Sequence, residues 1–410
     1  MAEQNLKGQE DLTSTVAKHY NELQESGLEK RKESRIFHLR NFNNWIKSVL
    51  IGETIQAVHG QSNERSDLSV LDLCCGKGGD LLKWKKGQIS KIVCADIAAT
   101  SVEQCQSRYQ EMVDRGRNDR GPNRIFSAEF ITADCTKERL RDTYKDSNTT
   151  FDITSCQFSF HYCFESYPQA KLMLQNACEC LKLGGYFIGT TPDSYEIVRR
   201  FRDSPDRCAG NDVYSVSFCS EDVDNIPLFG AKYNFHLEGV VDCPEFLVYF
   251  PVLEKMAEEL GMKLVYRKPF DEYFAEKSEI GEHRGLLGRM SALECYPPPE
   301  GTALVGTNSN DYKDTEICLN KLKEEDTRPE DLKHHRPVRV GTLSQAEWDA
   351  STIYLVFAFQ KVKDVNTGKL WTEPNMDAQS NKHQSEGSRK RHSDQHRDIA
   401  ESTPKQQKTS

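Results

Sequence analysis

Residues 69–80 read Ser-Val-Leu-Asp-Leu-Cys-Cys-Gly-Lys-Gly-Gly-Asp, an apolar run followed at once by a glycine-rich turn. The apolar residues 70–73 predict a buried strand, and the apolar spacing that begins at Leu81 predicts a helix. The three glycines permit left-handed backbone and the close approach of a ligand. A strand, a glycine loop and a helix N-terminus together present free backbone N–H groups to a nucleotide-like ligand. This stretch therefore predicts an α/β sheet with a ligand site at its edge.

Two common types of glycine loop do not fit this stretch. A Walker loop needs four residues between its first glycine and a Gly-Lys-Ser/Thr ending, which is absent. A dinucleotide fingerprint needs G-x-G-x-x-G, and Leu81 stands where the third glycine belongs. A third type binds S-adenosylmethionine (SAM) and pairs the glycine loop with a strand that ends in an acidic residue. The NTPase and dehydrogenase classes are thus disfavoured.

The strands that follow favour the third type. Segment 91–97 is apolar and ends near Asp96, about 20 residues past the loop, where a ribose-binding acid belongs. Segment 130–134 ends in Asp134, which could accept a hydrogen bond from an adenine amino group, and segment 151–157 ends in Gln157. One aspartate alone is more often a turn or cap residue. Several in succession after a glycine loop predict one polar edge of a parallel sheet.

Composition limits the choice of partner and compartment. A chain of 410 residues can form two or three domains, or one large α/β domain with tails. The net charge of −9 is unlike that of proteins that grip long nucleic acids, so any RNA contact should be local. The 14 cysteines include no C-x-x-C pair, which favours reduced core thiols in an intracellular protein and predicts no metal site. No signal peptide or membrane-spanning run is present.

Hydrophobic periodicity predicts the remaining elements. A helix precedes the loop, with a buried stripe of Ile36, Leu39, Phe42, Ile46 and Val49 beside a polar stripe of Arg40, Asn43 and Lys47. Later predictions are a helix over 170–181 ended by Gly184 and Gly185, a strand over 186–191, an irregular insertion over 203–225, a strand over 233–241, a turn over 242–245, a helix over 252–260 and a strand over 263–268. His161 and Tyr162 follow Phe158 by one helical turn and should lie on its side of the chain.

The ends of the chain and one internal segment are polar. Residues 297–340 are proline-rich without clear periodicity and predict a surface insertion. Residues 351–359 are too apolar for a tail, so that strand should return to the main sheet. The N-terminal region carries a possible short helix over 15–23. The polar C-terminal tail contains Arg389-Lys390-Arg391, a candidate nuclear-import signal.

The motifs together resemble the eukaryotic mRNA cap guanine-N7 methyltransferases. The matching stretches, in family order, are Arg40-Asn41-Phe42-Asn43-Asn44-Trp45-Ile46-Lys47, the loop 71–81, Cys156-Gln157-Phe158 with His161-Tyr162, Gly184-Gly185-Tyr186-Phe187 with Thr190-Thr191-Pro192, Pro244-Glu245-Phe246-Leu247-Val248 and Ile353-Tyr354-Leu355-Val356-Phe357. They cover residues 15–295 and 341–361. The resemblance is specific, because generic SAM enzymes share only the loop and Asp96.

The resemblance implies a fold, a domain plan and a set of site residues. The implied fold is α/β, a seven-stranded, mostly parallel sheet with helices on both faces and an antiparallel last strand. The implied domains are a tail over 1–14, a catalytic domain over 15–363 with the 297–340 insertion, and a disordered tail over 364–410. The implied SAM contacts are Lys47, Cys74, Gly76, Asp96, Asp134, Gln157 and Tyr162. The implied cap contacts are Asn43, Asn44, Lys77, Lys83, Arg108, Phe158, His161, Tyr162, Glu245 and Tyr354.

Cys74 departs from the family, which usually has glycine at that position. If the backbone there has positive φ, Cys74 carries local strain of about 1 kcal/mol. That strain would lower the affinity for SAM or displace the loop.

The chemistry implied for these residues needs no catalytic acid or base. Guanine N7 carries a lone pair and the sulfonium methyl is already an electrophile, so alignment would supply the catalysis. Glu245, with His161 and Tyr354, would orient the guanine and favour the developing positive charge. Lys77, Lys83 and Arg108 would meet the cap triphosphate, which reconciles RNA binding with an acidic chain.

Two other functions stay open from the sequence. One is methylation of another substrate with the same cofactor site, and the other is a non-catalytic scaffold that binds cap or SAM. The expected partners are 5′-capped RNA and, from the family, a small activating subunit and the transcription and capping machinery, with no membrane. The expected location is the nucleus.

Overall fold

The computed structural model describes residues 16, 18, 21, 33–61, 67–118, 125–204, 208–218, 225–308, 310–329 and 337–372. The first elements are α1 (Phe37–Gly60), β1 (Ser69–Leu73), α2 (Leu81–Lys86), β2 (Lys91–Asp96), α3 (Ala99–Asn118), β3 (Ser127–Thr132), β4 (Phe151–Gln157), α4 (Tyr167–Cys178), β5 (Leu181–Pro192) and α5 (Ser194–Asp203). The chain continues with β6 (Cys208–Gly210), β7 (Tyr214–Phe218), β8 (Lys232–Leu237), β9 (Val241–Phe246), α6 (Phe250–Glu259), β10 (Met262–Pro269), α7 (Phe270–Ser278), α8 (Gly281–Arg289), β11 (Glu294–Tyr296), α9 (Lys313–Glu324), β12 (Val340–Thr342), α10 (Gln345–Ser351) and β13 (Tyr354–Lys361).

The main sheet has seven strands in the order β10-β13-β5-β4-β1-β2-β3. The pairs β1–β2, β1–β4, β2–β3 and β4–β5 are parallel, whereas β13 runs antiparallel to both β5 and β10. This confirms the predicted α/β fold with an antiparallel last strand, and it confirms that the late apolar strand returns to the main sheet.

Helices cover both faces of this sheet. All five residues of β1 are buried. Two adjacent residues of this strand, Val70 and Leu71, belong to two different hydrophobic clusters. The cluster around Val70 includes Phe42 and Trp45 of α1, and the cluster around Leu71 includes Leu174 of α4. A strand that is buried on both faces reads as a continuous apolar run, which is why β1 could be recognised in the sequence.

The carboxyl ends of the central strands align within about a residue. Leu73, the last residue of β1, pairs with Ala95 and with Cys156, each one residue before the end of its own strand. The residues that follow, Asp96 and Gln157, therefore lie on either side of the glycine loop. This is the polar edge that the sequence predicted.

A second sheet interrupts the main fold between α5 and α6. Strands β6, β7, β8 and β9 form an antiparallel meander. The predicted irregular insertion over 203–225 is therefore wrong where β6 and β7 lie, and the predicted turn over 242–245 is wrong because those residues belong to β9. Burial alternates along β8, and Gly239 at φ +64° makes the turn into β9. The prediction missed this two-residue period and merged two strands into one.

Two further boundaries differ from the predictions. Helix α4 ends at Cys178, and Gly184 and Gly185 lie inside β5 rather than at a helix end. The pairing of β4 with β5 jumps from Leu181 to Tyr186, and Gly184 takes φ +84° within that irregularity. The two glycines thus permit an irregularity in the strand pairing. In the sequence, a pair of glycines after an apolar helical pattern resembles the end of a helix.

The segment over 297–340 leaves and returns through a two-stranded ribbon of β11 and β12. It contains helix α9, which the sequence analysis did not predict because only Leu319 of that helix is buried. The predicted N-terminal helix over 15–23 lies mostly outside the described residues, as do residues 373–410 of the tail predicted over 364–410, with its basic run. The prediction of disorder is wrong for residues 364–372, where Leu370 pairs with Lys363 and Trp371 N–H donates to Val362 O at 2.8 Å. Within the described chain, no helix is long and apolar enough to cross a membrane.

Candidate functional site

The glycine loop over 74–80 connects β1 to α2 at the polar edge of the main sheet. Cys74, Gly76 and Gly78 have φ values of +54°, +50° and +74°. A Cβ atom built on Gly76 would meet no atom within 4 Å, so packing does not exclude a side chain there. The glycine leaves open space over the loop backbone, as a cradle for a ligand requires.

Asp96 fixes the loop from the end of β2. Its Oδ2 accepts a hydrogen bond from Gly76 N–H at 2.8 Å, and its Oδ1 accepts one from Ala98 N–H at 2.8 Å. Burial raises the pKa of this carboxyl, and the hydrogen bonds from Ala98 and Gly76 oppose the rise. Each oxygen keeps a second lone pair, so two ribose hydroxyls could still donate to Asp96.

Cys74 has positive φ, which is the condition under which its replacement of glycine was expected to cause strain. At φ +54° a residue with a Cβ is strained, by about 1 kcal/mol or more. The side chain faces both cavities described below, and a neighbouring residue, Cys75, donates its N–H to Ala95 O at 3.1 Å. The strain therefore sits at the ligand-facing start of the loop.

Asp134 and Gln157 end the neighbouring strands in different ways. Asp134 closes a turn in which its Oδ1 accepts hydrogen bonds from the N–H and Oγ1 of Thr136, at 3.0 and 2.6 Å. Gln157 donates from Nε2 to Ser155 Oγ at 3.0 Å, while its buried Oε1 has no hydrogen-bond partner. An unpartnered buried acceptor beside the loop is what a bound ligand with a donor group would satisfy.

Two lysines share one buried carboxylate at the start of α2. Lys47 Nζ lies 2.9 Å from Asp80 Oδ1, and Lys83 Nζ donates to the same oxygen at 2.7 Å. Burial alone would raise the pKa of Asp80, but the two lysines hold it well below its usual range. Burial lowers the pKa of Lys83. Sequence analysis missed Asp80, although the i, i+3 spacing to Lys83 was a readable signal.

The three cations predicted for the triphosphate all contact the loop. Lys77 belongs to it, Lys83 donates to Gly79 O at 3.2 Å, and Arg108 donates from Nη1 to Lys77 O at 2.8 Å. Asn44 Oδ1 accepts from Lys83 at 3.2 Å, which joins this group to α1.

A buried carboxylate lies across the cleft from the loop. Glu245 is 2% exposed, and its Oε2 accepts a hydrogen bond from Tyr233 Oη at 2.6 Å. Its Oε1 lies 3.2 Å from His161 Nε2, without the alignment of a hydrogen bond, and 3.5 Å from Tyr162 Oη. Burial is the main cause that raises the pKa of Tyr233 well above its usual value, and the negative charge of the neighbouring Glu245 raises it further. The phenol therefore stays protonated and donates.

Tyr233 is a site residue that the sequence analysis missed. It is fully buried, and it pairs directly with Glu245 across the β8–β9 hairpin. The signal was the alternation Lys-Tyr-Asn-Phe-His-Leu over 232–237, followed by a glycine turn.

Aromatic side chains close the other wall. The rings of Phe158 and Tyr354 lie 5.0 Å apart, edge to face, and Phe270 lies 5.7 Å from Tyr354. Phe158 has φ +59°, and its N–H donates to Thr190 Oγ1 at 2.9 Å. The backbone at this strand end is thus bent to present the ring.

One cavity of about 310 Å³ joins these two walls. From the predicted set it is lined by Asn43, Asn44, Lys47, Cys74, Gly76, Gln157, Phe158, Glu245 and Tyr354. A smaller cavity of about 80 Å³ is lined by Cys74, Asp134 and Tyr162, and it shares Cys74 and Ser159 with the first. Five of the predicted site residues line neither of these two cavities and lie behind the walls or around the loop: Asp96, Lys77, Lys83, Arg108 and His161.

A parallel sheet with a glycine loop after β1, an acid at the end of β2 and one antiparallel late strand defines the class of SAM-dependent methyltransferases. The residues fit this cofactor, because Gly76, with open space over its backbone, and Gln157, which carries an unpartnered acceptor, line the same cavity. The sequence model of the mRNA (guanine-N(7))-methyltransferase domain matches residues 3–362. The chain therefore belongs to the mRNA (guanine-N(7))-methyltransferase family, and it is a SAM-dependent enzyme.

Relatives with this name come from distant eukaryotes. The mRNA cap guanine-N(7) methyltransferase of Drosophila melanogaster is 50% identical over 86% of this chain and 78% of its own length. That of Caenorhabditis elegans is 42% identical over 86% of this chain and 87% of its own. Among solved structures, a SAM-dependent methyltransferase from Clostridium acetobutylicum is 14% identical, covers 56% of this chain and 83% of its own, and has a TM-score of 0.35.

Proposed function

We propose that this chain transfers the methyl group of SAM to N7 of the terminal guanosine of GpppN-capped RNA, by alignment and electrostatics without a general base. The observation that carries the proposal is the cavity whose walls include both the glycine loop and Glu245. A cavity of this size can hold a small-molecule ligand. Its two walls support the binding of a methyl donor on one side and a purine on the other.

The loop wall holds the donor in this proposal. Asp96 and Gln157 bind the ribose and the neighbouring polar groups, Asp134 and Tyr162 line the smaller cavity for the adenine, and Lys47 and Cys74 border the rest. SAM supplies a methyl group on a positively charged sulfur. Asp96, Gln157 and the loop backbone would hold the nucleoside of SAM in one place, so the acceptor would have only to align with the methyl group.

Glu245 orients the acceptor. Tyr233 occupies one lone pair of Oε2, and a carboxylate offers about four acceptor sites, so capacity remains for the guanine N1–H and N2 amino group. The N7 lone pair forms the new N–C bond while the S–C bond breaks and leaves its electrons on sulfur. The guanine gains the positive charge, and the buried Glu245 carboxylate stabilises it most in the transition state.

The aromatic wall and the cations bind the rest of the cap. Phe158 and Tyr354 offer a face or edge to the base, and stacking on an aromatic ring is worth about 1–3 kcal/mol. Lys77, Lys83 and Arg108 surround the loop where the triphosphate would extend. Asp80 already offsets part of the charge of Lys83, so Lys83 would contribute less to triphosphate binding than its full charge allows.

The partners follow the same reasoning. Capped RNA is the substrate, and its contact is local because the chain carries a net charge of −9. We further propose action in the nucleus and pairing with a small activating subunit and the capping machinery. Retention of the full-length chain in nuclei, and its loss when residues 389–391 are changed to alanine, would test the location.

The test is methyl transfer from labelled SAM to matched RNAs that differ only at the 5′ end. GpppN-ended RNA should be labelled, and nuclease digestion should release N7-methylguanosine. Equal labelling of uncapped RNA would refute the cap as the substrate. Binding of SAM and cap without any transfer would instead favour the scaffold, and full activity of the Lys77→Ala/Arg108→Ala variant would favour another substrate.

A further inference from the structure

Three thiols lie together directly under the glycine loop. The sulfur atoms of Cys75, Cys94 and Cys105 all lie within 4.8 Å of one another, and within the described chain they are the group whose spacing could hold a metal ion. Cys94 and Cys105 are buried, and Cys75 is half-buried. Each comes from a different element, the loop, β2 and α3, so no short sequence motif joins them.

The spacing suits a three-coordinate metal complex. A metal–sulfur bond is about 2.3 Å long, so three sulfurs in a plane around one ion lie about 4 Å apart. Closing the present triangle to that size needs shifts below about 1 Å at each sulfur. Thiolate ligands select soft ions such as Cu⁺ and Zn²⁺.

A cysteine binds a metal ion as its thiolate, so metal binding would release the thiol protons of the three cysteines to solvent. Arg108 lies three residues after Cys105 on α3 and is held against the loop through Lys77 O, so it would offset part of the negative charge of a metal–trithiolate group.

We propose that Cys75, Cys94 and Cys105 form a binding site for a single soft metal ion, and that its occupation weakens binding of SAM. The site shares Cys75 with the loop wall, because Cys75 also lines the cavity of about 310 Å³, whereas Cys94 and Cys105 lie beneath that wall. The coupling rests on the proposed placement of the cofactor at the glycine loop.

The coupling follows from two contacts between the thiols and the loop. A Cβ at Gly78 would lie 2.8 Å from Cys105 Sγ, so this sulfur occupies the space beside the loop that a side chain at Gly78 would need. Cys75 adjoins Gly76, whose N–H is bonded to Asp96 at 2.8 Å. A metal ion held by Cys75 and Cys105 would therefore fix two groups that adjoin the backbone of the ligand cradle, and any shift of either sulfur would be passed to that backbone.

To test the site, the reduced full chain is titrated with Cd²⁺, and binding is monitored by the thiolate-to-cadmium absorption in the ultraviolet. The exposed thiols Cys208, Cys295 and Cys318, and Cys219 outside the described residues, are first changed to serine. We expect one Cd²⁺ per chain, and Cys105→Ser should lower its affinity by at least about 100-fold. Cys178→Ser, which removes a buried thiol elsewhere, should leave the titration unchanged.

Several outcomes decide the proposal. Absence of a one-to-one band in the parent chain, or the same band in Cys105→Ser, would overturn the site. If Cys105→Ser does not fold, as judged by its melting temperature, Cys75→Ser replaces it and carries the same expectation. Cd²⁺ should also weaken SAM binding by about tenfold in the parent. Metal binding with unchanged SAM affinity would overturn the coupling. Failure of the proposed cofactor placement is detected by a different measurement, because Asp96→Ala would then bind SAM normally in the absence of metal.

Discussion

The two walls of the cavity are built by different means. The loop wall consists of residues 74–80 and Gln157, with Asp96 behind them. It is shaped by backbone, through positive φ angles and an N–H group bonded to the Asp96 carboxylate. The guanine wall, Tyr233 and Glu245 with their neighbours, is shaped by side chains that bond one another across a hairpin.

This contrast predicts different sensitivities. On the loop wall, a change acts by moving backbone that several ligand groups share. On the guanine wall, it leaves a buried polar group without its partner while the backbone stays in place. Cofactor affinity should therefore report on the first wall, and turnover at saturating cofactor on the second.

The largest expected effect is that of Asp96→Ala on the loop wall. It removes the acceptor that we propose for two ribose hydroxyls, and hydrogen bonds to a charged group are worth about 1.5–3 kcal/mol each. The two bonds together are worth about 3–6 kcal/mol, so SAM binding measured by calorimetry should fall by about 150-fold to 10,000-fold. Because burial raises the pKa of Asp96, SAM affinity of the parent should also fall as the pH drops through a value above the ordinary 3.8.

The control for this variant is Asp114→Ala on the exposed part of α3, which should bind SAM normally. Normal affinity in Asp96→Ala, with an unchanged melting temperature, would remove Asp96 from the cofactor site.

Glu245→Ala should have the next largest effect, and it should act on turnover alone. Removing one group that faces the developing charge costs about 3 kcal/mol, so kcat should fall by a few hundred-fold while SAM affinity stays normal. Glu238→Ala, at the exposed turn of the same hairpin, is the matched control. An unchanged rate in Glu245→Ala would show that this carboxylate does not face the guanine.

Tyr233→Phe should have a smaller effect of the same kind, because it removes the donor that holds Glu245. Loss of this hydrogen bond to a buried charged group should lower kcat by about 10- to 100-fold. Tyr233 is a positioning residue in this account, so KM for SAM should not move. Tyr273→Phe, another buried tyrosine that donates to a glutamate, at 3.3 Å, should leave kcat unchanged. Equal loss of kcat in the two variants would assign the effect to general stability.

Cys74→Gly should have the smallest effect and the opposite sign. Relief of strain at φ +54° is worth about 1 kcal/mol, so SAM affinity should rise about fivefold. Gln88→Gly, at φ +55° in a turn outside the cavity, should raise the melting temperature without changing SAM affinity. A weaker affinity in Cys74→Gly would mean that the Cys74 side chain contacts the ligand favourably.

The same contrast explains what could be predicted from the sequence. The loop wall was predictable because each polar residue follows an apolar strand, and parallel strand ends meet at one edge. Positive φ at Cys74, where the family usually has glycine, was the condition under which strain was expected, and the structure meets it. The pairing of Asp80 with Lys83 could have been predicted from their spacing, but its pairing with Lys47 depends on the packing of α1 beside the start of α2.

The guanine wall was less predictable. Glu245 was expected from the family resemblance, but it was assigned to a turn, and without the β8–β9 register its partner Tyr233 could not be found. The three thiols under the loop were likewise read as separate core residues, since only the fold brings 75, 94 and 105 together.

The most direct test of the account is a crystal structure with S-adenosylhomocysteine and the cap dinucleotide GpppG. The account predicts the nucleoside of the spent cofactor beside Gly76 and Asp96, and the guanine between Glu245 and Tyr354 with N7 turned toward the sulfur. A guanine bound away from Glu245, or with N7 facing away from the sulfur, would contradict it.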